Sequence, residues 1–434
     1  AAQASGTINL GTGTDSITLF NGTNTLTVSN TETITGGTGN DTITLGAAQA
    51  SGVFDFGGGA DRLVLANGTN TLTVSNTETI TGGTGNDAIT LGAAQVSGTI
   101  NLGAGTADAL TLADGTNTLT VSNAETITGG TGNDAITLGA TQVSGVFDFG
   151  GGADRLVLAN GTNTLTVSNT ETITGGTGND AITLGAAQVS GTINLGAGTA
   201  DALTLADGTN TLTVSNTETI TGGTGNDAIT GSAINEVISG NSGNDTLDGG
   251  AGNDTLNGGG GADILIGGSG VDIFQYMAIT DGAAAGAATG YDRITDFVSG
   301  ADKFSLLDTM AAAVNDMGAT NTSLSWATNA TVDFNATHEA LFLTNAAGTT
   351  LADADLTVSG FAALIAKINA YMSVGSAPTS GVDALIAAQG SNSTAVYYYA
   401  ENGAAVDNIT ADELILVSVV ENQQLVTTDF ISIA

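Results

Sequence analysis

A single acidic residue follows a run of glycines at a constant distance in repeated stretches of the chain. In residues 36–44, GGTGNDTIT, Asp41 lies two residues before Ile43, and near-copies of this stretch begin at 82, 129, 175 and 222. Glycine adopts positive φ at no steric cost, so the run predicts a turn that carries a carboxylate. Carboxylate and carbonyl oxygens suit hard cations. The spacing therefore indicates turns that could bind such a cation.

The residues between these stretches predict the strands that must position the turns. The copies lie 46 or 47 residues apart, and residues 36–81 divide into five pieces that each end in a triplet with a central apolar residue. Such a triplet predicts a short strand that buries one face. The central residues are Ile43, Phe54, Leu63, Leu72 and Ile80.

From residue 222 to 275 the pieces become six consecutive nonapeptides, GGTGNDAIT, GSAINEVIS, GNSGNDTLD, GGAGNDTLN, GGGGADILI and GGSGVDIFQ. They resemble the G-G-x-G-x-D-x-U-x repeat of RTX calcium-binding proteins, in which U is a large apolar residue. The resemblance implies an all-β fold, a parallel β-roll or β-solenoid in which backbone carbonyls and turn aspartates hold multiple Ca²⁺ ions. We expect a smaller β-rich (α+β) C-terminal domain to follow it.

The repeat length predicts how the coils are arranged. Each 46-residue unit contains five half-coils, an odd number, so a roll with two sides would present the same motif on opposite sides in consecutive units. The sequence alternates accordingly, with a full period of 93 residues. A roll with three faces per coil is the competing geometry.

A two-sided roll would stack the turn residues in two rows, where clusters of three acids alternate with neutral serine and asparagine. One row would contain Asp41, Asp61, Glu78, Ser97, Asn117, Asp134 and Asp154. The other would contain Ser51, Asn70, Asp87, Asp108, Glu125, Ser144, Asn163, Asp180, Asp201, Glu218, Glu236, Asp254 and Asp272. We expect Ca²⁺ at the clusters but not at the neutral gaps, and along both rows over 222–275. The predicted ligands are Asp15, Asp41, Asp61, Asp87, Asp108, Asp134, Asp154, Asp180, Asp201, Asp227, Asp245, Asp254, Asp263, Asp272 and Glu236.

Stacked acids repel one another at strand spacing, and ordering glycine-rich turns is costly in entropy. We therefore expect the array to be largely disordered in chelator and to fold at millimolar Ca²⁺. The alternative interpretation of the acids is a solvated charged surface. Five turn glutamates come from a shortened eight-residue piece without glycine and are left out of the predicted ligands: Glu32, Glu78, Glu125, Glu171 and Glu218.

The composition changes near residue 276, and together with the repeats this predicts four regions. Residues 1–221 form a solenoid of 46- and 47-residue repeats, 222–275 a regular nonapeptide roll, 276–310 a cap, and 311–434 a globular domain. The stretch YDRITDFVSGADKFSLLD at 291–308 resembles the segment that closes β-rolls in secreted RTX proteins. Residues 361–372 predict a helix, and the stretch from 393 to 420 predicts strands paired around an ENG turn.

The two ends of the chain suggest a longer, exported protein. The last residues, LVTTDFISIA, resemble the C-terminal signals of proteins secreted by the type I pathway. The chain begins inside a repeat, which indicates the C-terminal part of something longer.

Charge and composition exclude several function classes. The chain has 42 acidic and 5 basic residues, a formal charge of -37 that repels nucleic acid and acidic membrane surfaces. No apolar run reaches about 18 residues, so we expect no membrane span. The chain has no cysteine, which fits an exported protein without a disulfide framework. The single histidine, His338, excludes two-histidine metal sites, and we expect no enzyme here.

The sequence favours an extracellular calcium-dependent structural protein at a bacterial cell surface. The resemblance is to surface-layer or filament-forming RTX proteins, which implies self-association, export by the type I secretion apparatus and attachment to cell-surface polysaccharide. One alternative is an RTX adhesin stalk or an ice- or surface-binding protein, since threonines flank the buried residues. A further alternative is the C-terminal fragment of a larger RTX enzyme or toxin.

Overall fold

The structure is a computed structural model that describes residues 2–3, 5–277, 281, 290–307, 326–328, 340–343, 383–389, 393–400, 414–421, 423, 425 and 429–433. The chain forms two compact units, Ala1–Thr204 and Leu205–Ala434. The described residues contain strands and turns but no α-helix. None of their segments is a helix long and apolar enough to cross a membrane.

The first unit consists of two parallel sheets, A1 and B1, to which successive strands contribute alternately. Sheet A1 contains β1 (Thr7–Asn9), β3 (Thr25–Ser29), β5 (Thr42–Leu45), β7 (Arg62–Val64), β9 (Thr79–Thr81), β11 (Thr99–Asn101), β13 (Thr118–Ser122), β15 (Ala135–Leu138), β17 (Arg155–Val157), β19 (Thr172–Thr174) and β21 (Gly191–Asn194). Sheet B1 contains β2 (Ser16–Thr18), β4 (Thr33–Thr38), β6 (Val53–Gly58), β8 (Thr71–Ser75), β10 (Ala88–Leu91), β12 (Ala109–Thr111), β14 (Thr126–Thr128), β16 (Val146–Asp148), β18 (Thr164–Ser168), β20 (Ala181–Leu184) and β22 (Ala202–Thr204).

Pairing between every second strand confirms the two-sided roll and excludes three faces per coil. β5 pairs with β7, and β6 pairs with β8, always in parallel. The GGTGND stretches at 36 and 129 lead into β5 and β15 of sheet A1, whereas those at 82 and 175 lead into β10 and β20 of sheet B1. Consecutive units therefore face opposite sides, because each contributes five strands, and the motif returns to one side after 93 residues.

The core lies between the two sheets. The predicted central residues Ile43, Phe54, Leu63 and Ile80 are buried, with at most 1% of their surface exposed. Many upstream half-coils also bury a second apolar residue two positions later, as Phe56 follows Phe54. The expectation of one buried residue per half-coil was therefore too low for this part. A second buried side chain adds about 1.5–3 kcal/mol of hydrophobic stabilisation.

The second unit continues the same alternation in sheets A2 and B2. Sheet A2 contains β23 (Thr211–Ser215), β25 (Ala228–Ser232), β27 (Thr246–Gly250), β29 (Ile264–Ile266), β31 (Asp292–Ile294) and β37 (Leu414–Val420). Sheet B2 contains β24 (Thr219–Thr221), β26 (Val237–Ser239), β28 (Thr255–Asn257), β30 (Ile273–Tyr276), β32 (Lys303–Leu307) and β38 (Phe430–Ile433). Further strands are β33 (Trp326–Thr328), β34 (Ala340–Leu343), β35 (Asp383–Gln389) and β36 (Thr394–Ala400).

The segment after the nonapeptides forms a further coil. β31 and β32, within the stretch expected to close the roll, pair in parallel with β29 and β30. β37 and β38 then add in parallel to β31 and β32. The sequence expectation of paired strands before residue 420 is confirmed, because β36 lies antiparallel to β37.

Three predictions of the sequence fall outside the described residues. They are the helix at 361–372, the ENG turn at 401–403 and the environment of His338. The four-region division of the chain stays a prediction.

Candidate metal sites

The turn residues form hydrogen-bonded rows along the margins of the sheets. Most of them occupy the position just before a strand, and the side-chain oxygen of such a residue accepts a hydrogen bond from the backbone N–H of the equivalent residue one coil earlier. Asp41 N–H donates to Asp61 Oδ1 at 2.6 Å, and Asp245 N–H donates to Asp263 Oδ1 at 2.7 Å. The carboxylates are thus built into the stack, which argues against a merely solvated charged surface.

In the first unit each row repeats the pattern Asn-Asp-Asp-Glu-Gln every five coils. The row leading into sheet A1 is Asn24, Asp41, Asp61, Glu78, Gln95, Asn117, Asp134, Asp154, Glu171 and Gln188. The row leading into sheet B1 is Asp15, Glu32, Gln49, Asn70, Asp87, Asp108, Glu125, Gln142, Asn163, Asp180 and Asp201. The predicted clusters of three acids are confirmed.

The predicted neutral serines were wrong. Ser51, Ser97 and Ser144 are exposed, and the row position is filled instead by Gln49, Gln95 and Gln142, which are 6–8% exposed. Other row residues lie two positions before the buried apolar residue, whereas Gln49 lies five positions before Phe54. The inserted residues bulge outward, and the long glutamine side chain spans the extra distance.

Between the acidic clusters of each row, asparagine and glutamine side chains provide NH₂ groups that donate hydrogen bonds. Asn70 Nδ2 lies 2.9 Å from the carbonyl oxygens of Ala66 and Gly68 and 2.8 Å from Asp87 Oδ1. Gln49 Nε2 donates to the Ser51 carbonyl at 2.8 Å. These NH₂ groups satisfy turn oxygens that would otherwise need a cation. The arrangement therefore supports the expectation that Ca²⁺ occupies the acidic clusters and not the gaps.

Most of the predicted aspartates keep one oxygen without a hydrogen-bond partner. Asp245, Asp254, Asp263 and Asp272 are at most 1% exposed. Unpartnered buried Oδ2 atoms occur in Asp15, Asp41, Asp61, Asp87, Asp134, Asp154, Asp180, Asp245, Asp254, Asp263 and Asp272. A buried carboxylate oxygen without a donor costs free energy, which a bound cation would offset.

In the nonapeptides the second carboxylate oxygen faces a space lined by backbone carbonyls, which we call the cradle. A methyl group on Gly240 would lie 2.3 Å from Asp245 Oδ2 and 2.6 Å from the carbonyl oxygen of Gly258. The equivalent point at Gly231 lies 2.3 Å from Glu236 Oε2 and 2.5 Å from the Gly249 carbonyl oxygen. Ca²⁺ binds oxygen at about 2.3–2.6 Å. The cradle that the first glycine leaves open therefore fits this ion.

The donor set also fits the hard-cation chemistry. No group of three or more His, Cys, Asp or Glu side chains in the described part of the chain could hold a metal alone. A Ca²⁺ site here would combine carboxylates from the turns with backbone carbonyls, a mixture that Ca²⁺ accepts and zinc does not favour.

Four predicted ligands already use both oxygens. Asp108 Oδ2 accepts from Gly105 N–H at 3.1 Å, and Asp201 Oδ2 accepts from Gly198 N–H at 3.1 Å. Asp227 Oδ2 accepts from Gly223 N–H at 3.2 Å, and Glu236 accepts from Ser232. Asp15 is the one predicted ligand that is only half-buried.

Burial disfavours the charged form of these carboxyls. It raises the pKa of Asp245 to about 7, and hydrogen bonding from Asp227 N–H offsets only part of this pKa shift. Burial likewise raises the pKa of Asp61 and of Asp263 to about 6. Neighbouring acids add repulsion in the same direction. Without a cation, Asp61, Asp245 and Asp263 therefore bind a proton more readily than exposed carboxyls do.

Sequence reasoning missed the row residues beyond the nonapeptides. Asp292 Oδ1 accepts from Asp263 N–H at 2.9 Å, and Asp302 Oδ1 accepts from Asp272 N–H at 3.0 Å. Both lie two positions before a buried apolar residue, Ile294 and Phe304, which is the offset found in the nonapeptides. That offset was the signal that could have identified them. Burial and the charge of Asp263 raise the pKa of Asp292 to about 9.

A comparison with family models agrees with this geometry. The model of the RTX calcium-binding nonapeptide repeat (4 copies) matches residues 27–48, 74–94, 120–140, 167–187, 213–239 and 239–274. A comparison with curated proteins found no match. The matched segments contain strand–turn–strand stretches around GGTGND and the whole regular array. The chain therefore contains RTX calcium-binding nonapeptide repeats in these segments.

Proposed function

We propose that this RTX protein is an extracellular, calcium-dependent structural protein whose repeats assemble with other copies into a surface layer or filament. The observation that carries the proposal is the near-identity of the upstream coils, with one five-coil row pattern repeated on both margins of the first unit. A uniform repetitive surface suits regular contacts between copies more than it suits a single binding site.

The chain's own residues set how folding would depend on the ion. Asp245, Asp254 and their equivalents hold carboxylates in register at the turns, and the first glycines expose the carbonyl oxygens beside them. Bound Ca²⁺ supplies positive charge and oxygen coordination between neighbouring turns. The same rows would keep the chain unfolded where calcium is scarce and fold it outside the cell.

The remaining parts of the proposal concern export and chemistry. We infer export by a type I secretion apparatus and attachment to cell-surface polysaccharide, which the RTX repeats and the resemblance of the C-terminal residues support. We also infer that the chain is not an enzyme, because its sequence has a single histidine and no G-x-S-x-G or P-loop lysine motif.

Electron microscopy of the purified chain with and without Ca²⁺ tests the assembly. We expect sheets or fibres with millimolar Ca²⁺ and none in chelator. Dispersed particles under both conditions, while circular dichroism shows a calcium-folded chain, would contradict assembly and favour an adhesin stalk.

Threonine ladders favour one second candidate, an ice-binding protein. Thr25 pairs with Thr42 and Thr27 with Thr44 on the outer face of sheet A1, so their side chains stack in register. The ladder is interrupted at the next coil by Arg62 and Val64. Thermal hysteresis of the calcium-loaded chain would identify this function, and its absence would remove it.

A further inference from the structure

The outer faces of sheets A1 and B1 are almost uniformly small and polar, with two exceptions. Outward positions of β1 to β22 carry Thr, Ser, Asn and Ala, except in the coil of β6 and β7 and the coil of β16 and β17. Among β1 to β22, these two coils contain the only charged outward residues and the only outward valines, which are Asp55, Asp148, Arg62, Arg155, Val53, Val146, Val64 and Val157.

The two exceptional coils are separated identically on both faces. Arg62 and Arg155 lie on sheet A1, and Asp55 and Asp148 lie on sheet B1, each pair 93 residues apart. The separation is ten strands, from β7 to β17 and from β6 to β16, and therefore five coils. At about 4.8 Å per coil, each pair is about 24 Å apart.

The aspartate and the arginine of one coil lie on opposite faces at the same lateral margin. The same turn, residues 56–61, joins Asp55 on one face to Arg62 on the other, so both lie at one lateral margin of the roll. The valines lie towards the opposite margin, because the chain reverses between the sheets: Val53 precedes Asp55, and Val64 follows Arg62. A copy translated perpendicular to the sheets would place arginine opposite aspartate and valine opposite valine.

The arginines have no partner of their own within the described part of the chain. Both are exposed, and the ion pair recorded among those residues joins Arg293 to Glu421 instead. The aspartates are held in position: Asp55 Oδ1 accepts from Gly57 N–H at 3.1 Å and from Asn76 Nδ2 at 2.7 Å. Val53 and Val146 are each 56% exposed. The outer faces therefore carry two aspartates and two arginines, and the arginines have no ion-pair partner among the described residues.

We propose that the outer face of sheet A1 in one copy packs against the outer face of sheet B1 in the next, with Arg62 opposite Asp55 and Arg155 opposite Asp148. This contact rests on the proposed assembly of copies into a layer or filament, and it identifies the two faces that touch. Because the two faces differ, the contact repeats without closing and produces an open row of copies. One exposed ion pair contributes little, but two pairs in register with apolar contacts reinforce each other.

A matched pair of double variants tests the contact. Arg62→Gln with Arg155→Gln removes two charges, and Val96→Glu with Val189→Glu makes the same net charge change at exposed turn residues that lie outside the strands of both sheets and are also 93 residues apart. Sedimentation in millimolar Ca²⁺ should show a rise of at least about tenfold in the protein concentration needed for assembly in the arginine variant only. Equal assembly of both variants would overturn the proposed contact.

A charge exchange supplies the second measurement. Arg62→Glu with Arg155→Glu, and Asp55→Arg with Asp148→Arg, should each fold with calcium and fail to assemble alone, because like charges then meet. Mixed in equal amounts they should assemble, since each face then meets its opposite. Two folded variants that remain dispersed when mixed would contradict the inference. A wild-type chain that does not assemble at all would instead remove the proposed function, and the inference with it.

Discussion

At the scale of single residues, the first glycine of each nonapeptide determines whether a cation can enter the turn. Gly240 leaves open a space bounded by Asp245 Oδ2 and the Gly258 carbonyl oxygen. Its φ lies outside the left-handed region that favours glycine, so the absent side chain and not the backbone conformation explains the residue type.

Gly240→Ala should therefore impair calcium binding, and alanine can adopt the φ of residue 240. The new methyl group would occupy the cradle, and we expect the calcium concentration for half-folding to rise at least about fivefold, about 1 kcal/mol. Calcium titration followed by far-UV circular dichroism measures this. Gly260→Ala is the control, because no other atom would lie within 4 Å of the added methyl group. Equal shifts in the two variants would argue against the cradle as the binding site.

The buried carboxyls predict an unusual pH dependence for the calcium-free chain. The pKa of Asp245 is raised to about 7, and burial raises the pKa of Asp154 to about 6, from an unfolded value near 3.8. The folded chain therefore binds more protons than the unfolded chain between about pH 4 and 7, and its stability falls as the pH rises through this window. In chelator, ordered β-structure should increase on acidification from pH 8 to pH 5. Circular dichroism that shows no gain over this range would contradict the prediction.

At the scale of elements, the upstream coils and the nonapeptide coils are stabilised differently. Upstream half-coils often bury two apolar residues, such as Leu72 and Val74. The nonapeptides bury one, such as Leu247, and place Gly249 where the second would stand. The regular array therefore has less hydrophobic stabilisation per coil and depends more on its turns.

Hydrogen exchange during calcium removal should separate the two kinds of coil. As the free Ca²⁺ concentration is lowered, amides of β25 to β29 should lose protection at higher calcium than those of β5 to β19. The physical reason is the missing second apolar residue, about 1.5–3 kcal/mol per half-coil. Simultaneous loss of protection in both regions would show that the difference in core burial does not control stability.

At the scale of the whole molecule, the charge of -37 opposes any compact state, and at neutral pH a bound cation relieves this repulsion at the turns. The spaces beside Gly231 and Gly240 are lined by a carboxylate and a backbone carbonyl oxygen, a mixed set that Ca²⁺ accepts in irregular geometry, whereas Mg²⁺ requires a near-ideal octahedron at about 2.0–2.1 Å.

Refolding of the chain should therefore depend on which of the two ions, Ca²⁺ or Mg²⁺, is added. After chelation, we expect millimolar Ca²⁺ to restore the β-sheet circular dichroism signal, and Mg²⁺ at the same concentration to restore little of it. Sodium chloride of equal ionic strength is the control for charge screening. Full recovery with Mg²⁺ would indicate that screening alone folds the chain.

Local periodicity in the sequence determined the strands, their central buried residues, the alternation of sides and the clusters of three acids. These follow from the two-residue period of a strand and the odd number of half-coils per unit. Only the tertiary structure decided that Gln49, Gln95 and Gln142 fill the gaps. It also showed that the Asn70 amide donates to turn oxygens, and that residues 414–420 and 430–433 add a coil to β31 and β32. Side-chain reach and pairing between distant segments depend on spatial proximity, which the spacing of residues along a chain does not encode.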